Sequence, residues 1–174
     1  MEMNQLILSL GSNIESRSLN ITNACQAIAR EIGKISNASK IYTTPPLGFE
    51  SDTHFLNCCI LVETRLTPIG VLSATQKIEQ SLGRTQKSVD ENYTSRTIDI
   101  DIIFFNKQRV NTSELIIPHA LFRERKFVLK PLNDLTNNYI DPISQLTVGQ
   151  LLINCNDNSP IAIHENQFLD TLYK

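Results

Sequence analysis

Asp99 and Asp101 are the residues whose type and spacing point most directly to chemistry, within the run Arg96-Thr97-Ile98-Asp99-Ile100-Asp101-Ile102-Ile103-Phe104-Phe105. Side chains alternate faces along a strand, which predicts Thr97, Asp99, Asp101 and Ile103 on one face and Ile98, Ile100, Ile102 and Phe104 on the other. The two carboxylates then share a side, with Cα atoms roughly 6 to 7 Å apart by strand rise. Ionised carboxylates on a buried face are costly unless cations pair with them, and one arginine cannot neutralise both. Mg²⁺, which binds through one or two carboxylates plus substrate phosphates, is the natural partner. The plainer reading is a half-exposed strand whose polar face meets solvent.

A paired-aspartate strand reached through a basic loop suits phosphoryl-type transfer, which needs mainly positioning and charge neutralisation. Two metal ions can clamp the attacking and leaving oxygens together. The chain has no Gly-x-x-x-x-Gly-Lys-Ser/Thr loop and no Gly-x-Gly-x-x-Gly, so P-loop and Rossmann nucleotide sites are excluded. Nucleotidyltransferases of the polymerase-β type also combine Gly-Ser with Asp-x-Asp, but close together in sequence. Gly11-Ser12 and Asp99 stand far apart here.

The flanking elements follow from hydrophobic period and punctuation. Gln5 to Leu10 reads as a strand stopped by Gly11-Ser12-Asn13. Ile21, Ala24, Cys25, Ile28, Ala29 and Ile32 recur at helical spacing, with Ser18 or Asn20 able to cap the start and Gly33 the end. Ser39 to Tyr42 opens a second strand that must end before Pro45-Pro46. Phe55 to Glu63 is apolar on both faces and so central, with Phe55 and Asn57 sharing a face. An Asn there needs a partner for its amide, from protein or ligand.

Thr67-Pro68 starts a helix and Gly83 stops it, with Val71, Ala74, Thr75, Ile78 and Leu82 as the buried stripe. Gln76 and Glu79 lie together on its flank, where a solvated face is the plain alternative. Gly83 to Ser95 has no apolar period and reads as a loop of the kind that forms lids. After Phe105, Asn106-Lys107 is predicted to turn a hairpin back through Asn111. A basic helical stretch with Arg123, Arg125, Lys126 and Phe127 is expected to end at Pro131, and Thr147 to Asn154 reads as another helix. The tail from Ser159 shows no pattern. Strand-helix-strand-strand-helix-strand plus a hairpin predicts an α+β, ferredoxin-like split βαβ domain with an antiparallel-rich sheet.

The length of 174 residues suits one domain spanning 1–174, with 41% hydrophobic and 20% charged residues. A net charge of -2 argues against general affinity for nucleic acid or anionic membrane, so phosphate binding must be local. Cys25, Cys58, Cys59 and Cys155 lack Cys-x-x-Cys spacing and read as core residues in a reducing cytosol. A zinc site or disulfide framework is the alternative. With no signal-like N-terminus and no stretch of membrane-spanning length, a cytoplasmic protein is expected.

Tyr42-Thr43-Thr44-Pro45-Pro46-Leu47-Gly48, Phe55-Leu56-Asn57, Gln76-Lys77-Ile78-Glu79, Gly83-Arg84, Arg96 to Ile102, Pro118-His119 and Arg125-Lys126-Phe127 occur together in this order. In this the chain resembles the 6-hydroxymethyl-7,8-dihydropterin pyrophosphokinases, from Leu8 to about Pro131. These folate-pathway enzymes move pyrophosphate from ATP to a pterin alcohol and release AMP. The resemblance implies that Asp99 and Asp101 bind two Mg²⁺ ions. It implies a pterin pocket of Thr44, Pro45, Leu47, Phe55, Asn57 and Phe127, with the two rings sandwiching the heterocycle and Asn57 reading its edge. Gln76, Glu79, Arg84, Arg96, Ile102, His119 and Arg125 match the ATP side, and Arg84 and Arg96 count with the aspartates as catalytic. A monomer acting on two small molecules is expected. The lid departs from the family: Thr94-Ser95 precedes Arg96 in place of Gly-Pro, Gln86 and Tyr93 replace Arg and Trp, and Asp90 and Glu91 are added. A pterin- or nucleotide-binding protein without turnover is the rival reading.

Overall fold

The computed structural model describes residues 3–14, 16–45, 53–83 and 97–169. Strand β1 (Asn4–Ser12) leads into helix α1 (Arg17–Glu31), β2 (Gly33–Ala38), β3 (Tyr42–Thr44) and β4 (Phe55–Thr64). Helix α2 (Pro68–Ser81), β5 (Asp99–Phe105), β6 (Val110–Asn111) and β7 (Ile116–Ile117) follow. A 3-10 turn (Phe122–Glu124), α3 (Lys126–Thr136), α4 (Val148–Ile153) and β8 (Ala162–Ile163) complete the chain. The main sheet runs β5-β1-β4-β3-β8, with β2 also on β4, and every pairing is antiparallel. With β1 and β4 central and β5 outermost beside β1, this is the split βαβ order expected from the sequence.

The two faces of the sheet carry separate cores. On one, Leu6, Leu8, Leu10, Cys58, Ile60, Ile100 and Ile102 pack under the buried stripes of α1 (Ile21, Ala24, Cys25, Ile28) and α2 (Val71, Ile78). On the other, Ile7, Cys59, Ile103 and Phe104 meet Val128, Leu129 and Leu132 of α3 and Val148 and Leu151 of α4. Helix α3 covers only part of this second face. The uncovered part carries the aspartates.

Several sequence expectations shift. Strand β1 does not stop at Gly11: Gly11 pairs with both Asn57 and Asp99, and Ser12 with Leu56. Gly33 does not cap α1, whose C-cap is Ile32, but opens β2, a strand the sequence concealed. A Cβ on Gly33 would stand 2.1 Å from the Glu63 carbonyl oxygen, so only glycine allows β2 to approach β4 there. The cap of α1 is Ser16, not Ser18 or Asn20, and Ala27 rather than Ala29 is buried. Strict alternation in β5 fails at a register shift beside Ile7 and Leu8, where the ladder passes from Ile102 to Phe104. Ile103 and Phe104 therefore both face α3, and Phe105 joins the opposite core.

The predicted hairpin also forms elsewhere: β6 pairs with β7 instead of returning along β5. Pro131 does not end α3, which runs through it to Thr136. The stripe Val128, Leu129, Pro131 and Leu132 is buried, and this docking offsets the lost backbone donor. Thr67 caps α2 by accepting from Gly70 N, as expected, and Thr147 with Gln150 forms a capping box on α4.

Candidate active site

The register of four strands builds the site. Asp99 lies opposite Gly11, which lies opposite Asn57, which lies opposite Tyr42; one step along, Asp101 faces Ser9 and Ser9 faces Cys59. Cross-strand partners share a face, so the aspartates, Asn57, Phe55 and Thr44 lie on one side of the sheet. Asp99 and Asn57 are two strands apart, about 10 Å at ordinary strand spacing. Gly11 separates them, and a Cβ there would come within 3.0 Å of Asn57 Oδ1 and 3.8 Å of the Phe55 ring. The bare backbone leaves the floor between carboxylates and amide open.

Asn57 is buried and donates from Nδ2 to Thr44 Oγ1 at 2.7 Å. This bond fixes which way the amide points and ties β4 to the end of β3. Helix α3 begins where this patch ends: the Val128 carbonyl lies 3.8 Å from Cys59 Sγ, two residues from Asn57 on the same face of β4. Phe127, the neighbour of Val128, is half-buried beside the second core.

Beyond Asp101, at the outer edge of the sheet, a cavity of about 300 Å³ opens between α2, β5 and the β6–β7 hairpin. Ile102, His119 and Asp101 line it, as do Leu72 and Thr75 of α2 and residues 112–116. Leu72, Thr75 and the hairpin were missed in the sequence, where Thr75 reads as ordinary helix stripe and two-residue strands carry no periodic signal.

His119 Nδ1 accepts from Leu121 N at 3.2 Å, which leaves the proton on Nε2, 3.9 Å from Asp101 Oδ1. Burial, with the Arg125 guanidinium nearby, outweighs the opposing Asp99 carboxylate and pulls the imidazole down to about 4. His119 is therefore a neutral N–H donor at physiological pH. Arg125 is the N-cap residue of α3, its guanidinium carbon 5.8 Å from the Phe127 ring centroid.

The remaining predicted residues divide. Glu79 is buried and its Oε1 accepts from Ile100 N at 2.8 Å, so it braces the strand segment between the two aspartates. Gln76 is half-buried on α2, and Pro45 follows β3. Leu47, Arg84 and Arg96, with the lid predicted between the two arginines, lie outside the described residues. The basic stretch after His119 does not act as one patch: Arg123 is held by Asp141, and Lys126 Nζ donates to the Ser159 carbonyl.

Asp99 and Asp101 are half-exposed, and among the described residues no group of three or more His, Cys, Asp or Glu could hold a metal. Two carboxylates with no third such ligand beside them among the described residues fit Mg²⁺ shared with substrate phosphates, and do not fit a closed zinc-type centre.

The Bacillus subtilis 2-amino-4-hydroxy-6-hydroxymethyldihydropteridine pyrophosphokinase is 37% identical over 129 residues, 74% of this chain and 75% of that protein. The Porphyromonas gingivalis protein of the same name is 41% identical over 128 residues, 73% of this chain and 87% of its own. Among solved structures, Plasmodium falciparum HPPK-DHPS with pteroate superposes with a TM-score of 0.73 at 17% identity. That likeness shows the fold; it covers 88% of this chain and 44% of the longer one. The family model described as 7,8-dihydro-6-hydroxymethylpterin-pyrophosphokinase (HPPK) matches residues 7–137, and the chain belongs to that family.

Proposed function

We propose that this pyrophosphokinase of folate biosynthesis, an ATP-dependent diphosphotransferase, uses Asp99 and Asp101 to hold two Mg²⁺ ions between a pterin site on the sheet face and an ATP site at its edge. The observation that carries the reading is the position of the two carboxylates between the Asn57–Thr44 pair and the cavity lined by Ile102 and His119. When bound, the metal neutralises phosphate charge and orients the reacting oxygens.

The chain's own residues do the rest. Asn57, held by Thr44, presents its amide to the hydrogen-bonding edge of 6-hydroxymethyl-7,8-dihydropterin, and Phe55 and Phe127 stack on its faces, with Pro45 and Leu47 closing the pocket. His119 donates from Nε2 to a phosphate oxygen, and Arg125, Arg84 and Arg96 supply positive charge to the triphosphate. Gln76, Glu79 and Ile102 complete the ATP side, Glu79 by fixing the strand. The pterin hydroxymethyl oxygen attacks the β-phosphorus, and the bond from that phosphorus to the α,β-bridging oxygen breaks. The bridging oxygen leaves with AMP, and the hydroxyl proton passes to solvent. The reading has one domain over residues 1–174, acting as a cytoplasmic monomer with no nucleic acid or membrane partner.

Purified protein should form AMP and the pyrophosphorylated pterin only when the pterin, ATP and Mg²⁺ are all present. Tight complexes without AMP would instead mark a binding protein. Phe127→Ala tests the pocket separately. Truncating a core ring costs about 3 to 5 kcal/mol, whereas a half-buried ring facing ligand costs much less. Pterin affinity should fall about tenfold, the scale of a lost aromatic pair, while the melting temperature moves by only a few degrees. Unfolding with no separable binding defect would place the ring in the core.

A further inference from the structure

Both protein walls of the pterin site lean on the C-terminal segment. One wall is the first turn of α3, which carries Phe127; its N-cap residue, Arg125, makes no side-chain cap. The missing cap comes from Asp157, whose Oδ2 accepts from the N–H of Lys126, 31 residues earlier, at 2.9 Å. Asp157 Oδ1 accepts from Ser159 N at 2.9 Å, and the Ser159 carbonyl accepts from Lys126 Nζ at 3.2 Å. A carboxylate at a helix N-terminus satisfies an orphan donor and complements the helix dipole.

The other wall is β3, which ends at Thr44 and the Asn57 bond. Immediately before it, Ile41 is gripped on both sides by Gln167: Oε1 accepts from Ile41 N at 2.8 Å, and Nε2 donates to Ile41 O at 3.1 Å. His164 N donates to the same carbonyl at 2.8 Å, and β8 pairs with Tyr42 and Thr43. Phe168 and the buried Leu169 anchor the end of the segment in the core under α1. Tyr42 donates to Asp134 on the later half of α3, so helix and strand are joined there directly. The first turn of α3 and the start of β3 are joined through the tail.

We propose that residues 157–167 form a brace that sets the separation of the two pterin walls, with Asp157 and Gln167 as its positioning residues. The brace rests on the assignment of Phe127 and Thr44 to the pterin site. Neither Asp157 nor Gln167 touches substrate. Each acts through the backbone it holds, Lys126 for the stacking ring and Ile41 for the Thr44–Asn57 pair. A helix whose first turn frays loses the fixed plane of its ring before it loses the fold. Burial would raise the Asp157 carboxyl, but hydrogen bonds from Ser159 and from Lys126 N hold it below the ordinary carboxylate value. It therefore accepts as an anion at the pH of the assay.

The experiment compares Asp157→Ala, Asp157→Asn and Gln167→Leu in steady-state turnover, with amide exchange at Val128 and Leu129. Asp157→Ala should raise the pterin KM roughly three- to tenfold, the scale of a lost helix cap, with kcat at saturating pterin changed less than about twofold. Asp157→Asn keeps an oxygen acceptor for Lys126 N and should recover most of the affinity. Gln167→Leu should raise the pterin KM in the same way from the β3 side, and decides the matter if Asp157→Ala does not fold. A lowered melting temperature with an unchanged pterin KM in the folded variants would overturn the brace, as would Asp157→Asn behaving like Asp157→Ala. If Phe127→Ala weakens pterin binding and the tail variants do not, only the brace fails. If Phe127→Ala has no effect, the pocket assignment itself fails.

Discussion

Asp99→Ala or Asp101→Ala is expected to lower turnover by on the order of 10³-fold, the loss seen when a group stabilising transition-state charge is removed from a preorganised site. The fold should survive either change. Both carboxylates are half-exposed on the sheet face left uncovered by α3, so neither truncation opens a cavity in either core. In metal-free protein, removing one of two neighbouring anions relieves repulsion, and the melting temperature should hold or rise. With Mg²⁺ present, the wild type should gain stability that each variant lacks, by the mass action of a ligand that binds only the folded state. AMP formation and thermal melts with and without Mg²⁺ check both halves. Near-wild-type turnover in either variant would remove the carboxylate pair from the mechanism.

Asp141→Ala should give the second large effect, on stability. Asp141 is fully buried, and its carboxylate takes two bonds from Arg123 at 2.8 Å, from Nε and Nη2. It also accepts from Ser144 Oγ, Ser144 N and Ile143 N. Removing it strands the Arg123 guanidinium and the loop donors, which costs about 3 to 5 kcal/mol. For a chain of this size that is a fall in melting temperature on the order of 10 °C. Burial would raise the Asp141 carboxyl, but the bonds from Arg123, Ser144 and Ile143 outweigh it and bring the group down to about 2 from an ordinary 3.8. The stabilisation is therefore fully present above pH 4 and fades as pH falls through 2, so the stability gap between wild type and Asp141→Ala should close over that interval. Denaturant melts at neutral and acidic pH measure this. Arg123 lies in the turn between His119 and α3, so loss of its partner also loosens that turn, which the proposed reading sets between the ATP and pterin sides.

The elements legible in the sequence were those whose own residues impose them. Thr67-Pro68 and Thr147-x-x-Gln150 carry their caps locally, and the apolar run from Phe55 marks a strand whatever surrounds it. What stayed hidden depends on partners distant in sequence. Strand β2 reads Gly-Lys-Ile-Ser-Asn-Ala with only Ile35 buried, and it is a strand because Gly33 can reach Glu63. The register shift in β5 is a property of the β1–β5 ladder, invisible in the alternating residues themselves. Pro131 signals a helix end locally, and tertiary burial overrides it. The site divides likewise: the aspartates and Asn57 are visible as polar residues on apolar strands, whereas Leu72, Thr75 and the β6–β7 hairpin enter only once the chain closes around the cavity. Asp141 and Asp157 look like ordinary loop aspartates until Arg123 and Lys126 N arrive beside them.

Cys58 and Cys59 are consecutive residues of β4, yet they belong to different cores, Cys58 beneath α1 and α2 and Cys59 beneath α3. Burial pushes both thiols well above their ordinary value, and that of Cys25 to about 12, so none presents a thiolate while its side of the sheet is closed. Alkylation at each position then requires its own covering helices to lift. Labelling by a thiol reagent, read by mass spectrometry of one peptide, becomes a paired clock for the two sides of one strand. Equal rates at the two neighbours mean that the molecule opens as a whole, and a faster rate at Cys59 means that α3 detaches first.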